Sequence, residues 1–112
     1  MNLIDMHSDT VCELLSENMP DQDLKKNHLK VDIEKMKRGG SMAQFFACFV
    51  PLEEFLGKSK HEQAYEYVRR MATYLKKQIW IYPDEIAFAG NGSDLERNRK
   101  AGKISAFLTL EE

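Results

Sequence analysis

The chain has 112 residues, 43% apolar and 30% charged, with 16 Lys and Arg against 18 Asp and Glu for a formal net charge of -2. That length and balance describe one globular domain and exclude a disordered chain. The slight acidic excess gives no reason to expect nucleic acid, which calls for clustered positive charge, and no apolar run reaches the roughly 18 residues of a membrane span.

The N-terminus lacks the basic and apolar regions of a signal peptide, so a cytoplasmic protein with no membrane partner is expected. Cys12 and Cys48 form no CxxC pair and sit in apolar contexts, which predicts free, buried thiols in a reducing compartment.

Residues 2–7, NLIDMH, predict a short strand with Leu3, Asp5 and His7 on one face and Ile4 and Met6 on the other. Residues 10–17 predict a helix on Val11, Leu14 and Leu15, with Thr10 and Glu13 as a capping box. The polar stretch 18–28, carrying Pro20, predicts a loop. Next, VDIEKMKRGG predicts a short helix capped by Asp32 and ended by Gly39 and Gly40. Lys25, Lys26, Lys35, Lys37 and Arg38, interleaved with Asp32 and Glu34, read as a solvated face.

The segment SMAQFFACFVP is an apolar run bounded by Gly-Gly and Pro51, which suits a strand covered on both faces. From about Lys58 to Gln78, the spacing of Ala64, Tyr65, Val68, Met71, Ala72, Leu75 and Ile79 predicts an amphipathic helix. The aromatics Phe45, Phe46, Phe49, Tyr65, Tyr74 and Trp80 fall on apolar stripes and are expected in the core. EIAFAG predicts a short strand, and GNG before the next helix reads as a turn, not a phosphate cradle. SDLERNRKAGK predicts a helix with a Ser93–Glu96 capping box and a stop at Gly102. The last strand is KISAFLTLEE.

This alternation predicts an α/β fold with crossovers onto a parallel sheet. Strand 104–110 would be central, yet the chain stops two residues past it, and a closed (β/α)8 barrel needs roughly 250 residues. The chain is therefore expected to be cut short.

Three places carry candidate chemistry. His7 and Asp9 form an HxD at a strand end, where residues two apart point the same way and aim an imidazole and a carboxylate at one point. Both are good ligands for Zn²⁺, and in parallel α/β folds functional groups gather at the carboxyl ends of strands. The plainer alternative makes Asp9 a helix cap and His7 a satisfied strand-end histidine. Glu111 and Glu112 close an apolar strand at another carboxyl end, either as a metal-bridging carboxylate or as a solvated terminus. Asp5, one step deeper, either orients the imidazole or fills an inward polar position. His28 and His61 are expected in solvent.

IDMHSDTV, VDIEKMKRGGSMAQFFACFVP and DLERNRKAGKISAFLTLEE, in that order, resemble successive blocks of the membrane (renal) dipeptidase family and its bacterial relatives. The resemblance implies that these residues are the N-terminal portion of a (β/α)8 barrel, one incomplete domain over 1–112. It implies zinc-dependent hydrolysis of dipeptides at a two-zinc site, with a metal-bound hydroxide attacking the peptide carbonyl. His7 and Asp9 resemble ligands of one zinc, and Glu111 resembles the catalytic carboxylate bridging both. The family commonly has Gly after that glutamate where this chain has Glu112, and Glu111 is favoured because it directly follows the strand's last apolar residue. The later histidine ligands have no counterpart here, so the isolated chain is expected to be inactive.

Two other readings compete: a different barrel metallohydrolase, against which Asp9 counts because those families more often begin HxH, and a non-catalytic α/β interaction module. A parallel sheet with open edges and an uncovered apolar face also predicts a homo-oligomer.

Overall fold

Apolar runs between glycine and proline punctuation become strands, and three-to-four-residue apolar spacing becomes helices. In the computed structural model, which describes residues 3–16, 21–50, 55, 57 and 59–111, the order is β1 (Leu3–Asp5), α1 (Thr10–Ser16), α2 (Ile33–Arg38), β2 (Ser41–Phe49), α3 (Lys60–Ile81), β3 (Ile86–Phe88), α4 (Gly92–Lys100) and β4 (Ile104–Glu111). This is the α/β alternation expected. Pro83 keeps α3 from running on: the helix closes with the Tyr82 N–H donating to the Gln78 carbonyl.

All strand pairs are parallel, in the order β1-β2-β4-β3. As expected, β4 has a neighbour on each side. Its register with β2 runs from Ala43 opposite Ser105 to Phe49 opposite Glu111, while β3 pairs only with the first half of β4. The long helix α3 therefore carries the chain from β2 past β4 to the far edge.

Strand alternation splits the core. Phe46, Cys48, Ile104 and Ala106 join Val11, Ile33, Met36, Met71 and Leu75 in one buried cluster. Ser105 points the other way, and its hydroxyl accepts from Asn98 Nδ2 of α4 at 2.9 Å. Helix α4 thus lies on the face opposite α1 and α3. The rings of Phe45 and Phe107, paired across that second face, stack with centroids 4.5 Å apart.

Capping follows the predicted chemistry at α2 and departs from it elsewhere. Asp32 caps α2 by accepting the Lys35 N–H, and Gly40 takes φ 74°, the left-handed conformation that a following strand requires here. In α4 the cap is Asn91, whose side chain accepts the Asp94 N–H, so the Ser93–Glu96 box is corrected to a start two residues earlier. In α1, Thr10 is already helical: its N–H donates to Ser8 Oγ at 3.2 Å, and the Glu13 N–H donates to the Asp9 carbonyl.

Two further expectations are corrected. Trp80, Tyr65 and Phe49 are exposed, not core, because the buried stripe of α3 is centred on Met71, Leu75 and Gln78 and Trp80 lies about 200° around the helix from Gln78. Nor are the lysines before β2 simply solvated. Lys35 donates its ammonium to the buried Asp32 at 3.1 Å, and Lys25 and Lys37 both reach Glu85 Oε1 at the α3–β3 turn.

These contacts hold the 21–32 loop. The Asn27 N–H donates to Asp32 Oδ2 at 2.9 Å, Asn27 Nδ2 donates to the carbonyls of Asp23 and Val31, and the Leu29 N–H donates to Asn27 Oδ1. The Lys35 ammonium reaches the Asn27 and Leu29 carbonyls. At the loop's other end, Tyr82 donates its hydroxyl to Asp23, and the Leu24 N–H donates to Gln78 Oε1 at 2.9 Å. Among the described residues, no buried side-chain nitrogen or oxygen lacks a partner.

Candidate metal centre

Strand β1 is only three residues long, and side-chain contacts extend its hold on the chain beyond Asp5. Asp5 pairs in register with Gln44; its Oδ2 accepts Gln44 Nε2 at 3.1 Å and its Oδ1 accepts the His7 backbone N–H at 3.3 Å. The buried Gln44 therefore anchors a carboxylate that fixes the turn carrying His7. Asp5 thus meets the segment at the His7 backbone N–H. Two residues on, the Ser8 carbonyl accepts the Ala47 N–H at 2.8 Å, which ties the segment to β2 before α1 begins.

Between these ties His7 and Asp9 project together. His7 Nε2 lies 3.2 Å from Asp9 Oδ2, and the two side chains are 50% and 47% accessible. The plainer role for Asp9 is divided: its carbonyl opens α1, while its carboxylate turns to His7. Two ligands of one tetrahedral zinc, each about 2.0–2.1 Å from the ion, have donor atoms about 3.3 Å apart. The observed separation matches, so the pair fits two adjacent positions on one ion. Among the described residues, no group of three or more His, Cys, Asp or Glu side chains forms a metal cage.

The Glu111 backbone closes β4 opposite Phe49, at the same end of the sheet as His7 and Asp9. Two strand spacings, about 10 Å, separate β4 from β1 across β2. The Glu111 side chain and all of Glu112 lie outside the described residues. His61 is exposed as expected. His28 is exposed too, but it does more than meet solvent. With Leu29 and Lys30 it forms one wall of a cavity of about 580 Å³ whose other wall holds His7, Asp9 and Glu13. Sequence reasoning missed this wall because nothing local shows where the tip of a polar loop will rest.

Both cysteines are free thiols close to this region. Cys12 Sγ donates to the Ala47 carbonyl at 3.3 Å. Burial pushes both thiols up, Cys48 to about 11 with Cys12 adding to the effect. They are protonated at neutral pH, and a protonated thiol serves neither as nucleophile nor as metal ligand.

The family described as Membrane dipeptidase (Peptidase family M19) matches residues 1–112. Among solved structures, the chain resembles a crystal structure of the dipeptidase AC, a metallopeptidase of family M19, with a TM-score of 0.73 and 23% sequence identity. The match covers 97% of this chain and 34% of that one, so the chain spans about a third of that dipeptidase's length. At this identity the likeness speaks for the fold: the four parallel strands correspond to part of a TIM-like barrel. The curated proteins yield no match.

Proposed function

Because the chain belongs to the membrane dipeptidase family, a metal-dependent peptidase family, we propose that it provides the opening ligands of a zinc dipeptidase site. The observation that carries this reading is the convergence of His7 Nε2 and Asp9 Oδ2 at 3.2 Å on the carboxyl side of β1. His7 and Asp9 would hold one zinc, and Glu111 would be the carboxylate shared with a second. Bound zinc supplies Lewis-acid polarisation of a carbonyl and makes water available as a nucleophile near neutral pH. Gln44 and Asp5 keep the His7 backbone in place, and the tie from Ser8 to Ala47 holds Asp9 at the mouth of α1. The substrate class is a dipeptide.

Three ligands hold zinc less tightly than a full set, so these 112 residues alone bind it weakly and are inactive toward dipeptides. Exposed Leu3 and Ile4 on β1, Met6 just after it and Leu110 on β4 support self-association, which light scattering reads directly.

The test is calorimetric titration of zinc into the chain and its His7→Ala and Asp9→Ala variants, alongside dipeptide hydrolysis with and without chelator. Binding that is indifferent to both substitutions would falsify the ligand assignment. Chelator-insensitive hydrolysis would overturn the metal mechanism.

A further inference from the structure

The C-terminal half of α3 carries a surface the core does not explain. Met71, Leu75 and Gln78 are buried, while Trp80 is 82% accessible and Ile81 52%. From Arg69 to Ile81 the helix holds Arg69, Arg70, Lys76 and Lys77 and no acidic residue. Arg69, Thr73, Lys76 and Trp80 follow at steps of four, three and four. Arg70, Lys77 and Ile81 follow at seven and four. Each row therefore stays on the exposed side. Arg69 pairs with Glu66 at 3.3 Å, but Arg70, Lys76 and Lys77 have no partner among the described residues.

A tryptophan is on average largely buried, since it presents roughly 200 Å² of mostly apolar surface. Here it stands among unpaired cations, which limits what can cover it. A second copy packed symmetrically through this face would set like charges against each other, with no acid in these turns to meet them. An anionic lipid surface answers both features: headgroups attract the lysines and arginines, and an indole is favoured at headgroup depth. No described helix is long and apolar enough to cross a bilayer, so the contact would be peripheral. We propose that the exposed face of α3 from Arg69 to Ile81 docks on an anionic lipid bilayer. Because the whole chain is slightly acidic, this binding depends on the local patch and weakens with salt.

Trp80 is the only tryptophan in the chain, so its fluorescence reports the contact directly. The chain is titrated with vesicles of phosphatidylcholine alone and of phosphatidylcholine with phosphatidylserine, with co-sedimentation alongside. The expected result is a blue shift and co-sedimentation with the phosphatidylserine vesicles only, both reversed at high salt. Lys76→Gln with Lys77→Gln lowers partitioning about thirtyfold, from about fivefold per lysine, whereas Lys100→Gln on α4 leaves it unchanged. Trp80→Gln, read by sedimentation, also weakens it. All of these side chains are exposed, and circular dichroism confirms that the variants fold. Four outcomes overturn the proposal: no response to phosphatidylserine, an equal response to phosphatidylcholine, an equal response to polyglutamate or RNA, or a concentration-dependent Trp80 shift without vesicles, which would assign the face to a second copy.

Discussion

Two polar clusters bound the same loop, and they are built on opposite principles. Around Asp32, which is 1% accessible, every carboxylate contact is a charge-assisted hydrogen bond from Asn27, Lys35 or the Lys35 ammonium. Around His7 and Asp9, both side chains are half exposed and share one short contact. A buried carboxylate is tolerable only when its lone pairs are filled, and removing a partner is then costly. An exposed pair costs little to keep and adds little to stability, and this one lines a cavity that a ligand could enter. One cluster holds the chain together, and the other is available for chemistry.

The largest expected effect falls on the buried cluster. Asp32→Ala strands Lys35 and the Asn27 N–H and should cost about 3–5 kcal/mol, read by urea denaturation, while the folded fraction keeps its zinc affinity. His7→Ala reverses the pattern. Zinc affinity falls more than about 100-fold, beyond the usual cost of losing a supporting residue, while stability stays within about 0.5 kcal/mol. If instead His7→Ala unfolds the chain, or Asp32→Ala abolishes zinc binding in a chain that still folds, the division of labour fails.

Acid sharpens the same contrast. Burial alone would push the Asp32 carboxyl up, but the N–H groups of Asn27 and Lys35 and the Lys35 ammonium outweigh it and hold it below its ordinary 3.8. Hydrogen bonds from Lys25 and Lys37 hold Glu85 below its ordinary 4.5. Both groups therefore stabilise the fold fully above those ordinary values and lose that contribution as pH falls through their depressed ones. Stability should decline below about pH 4.5, and Asp32→Asn with Glu85→Gln should flatten that acid limb in denaturation curves taken across pH. An unchanged limb would mean that other carboxylates carry the acid response.

The smallest effect is a cap. Asn91→Ala should cost about 1 kcal/mol, measured by thermal unfolding, whereas Ser93→Ala should cost little because Ser93 already lies inside α4. Equal losses would restore the Ser93–Glu96 box.

Local patterns in the chain were enough for the alternation of strands and helices, the Asp32 cap, the Gly39–Gly40 stop and the HxD juxtaposition. Each of these depends on neighbours within a few residues, through periodicity, backbone freedom or side-chain reach. The ordered blocks at the start, middle and end of the chain also made the family legible. Long-range packing supplied the rest. It set β4 between β2 and β3, placed α4 on the opposite face through Asn98 and Ser105, and turned Trp80 outward. It also joined Lys25 and Lys37 to Glu85 and brought the loop tip at Lys30 beside His7 and Asp9. These contacts join residues from 7 to 60 positions apart in the chain, and even the nearest depends on which sheet face α4 covers. Which of them form is decided by how all the apolar faces are buried at once, a global condition that no local window of the sequence contains.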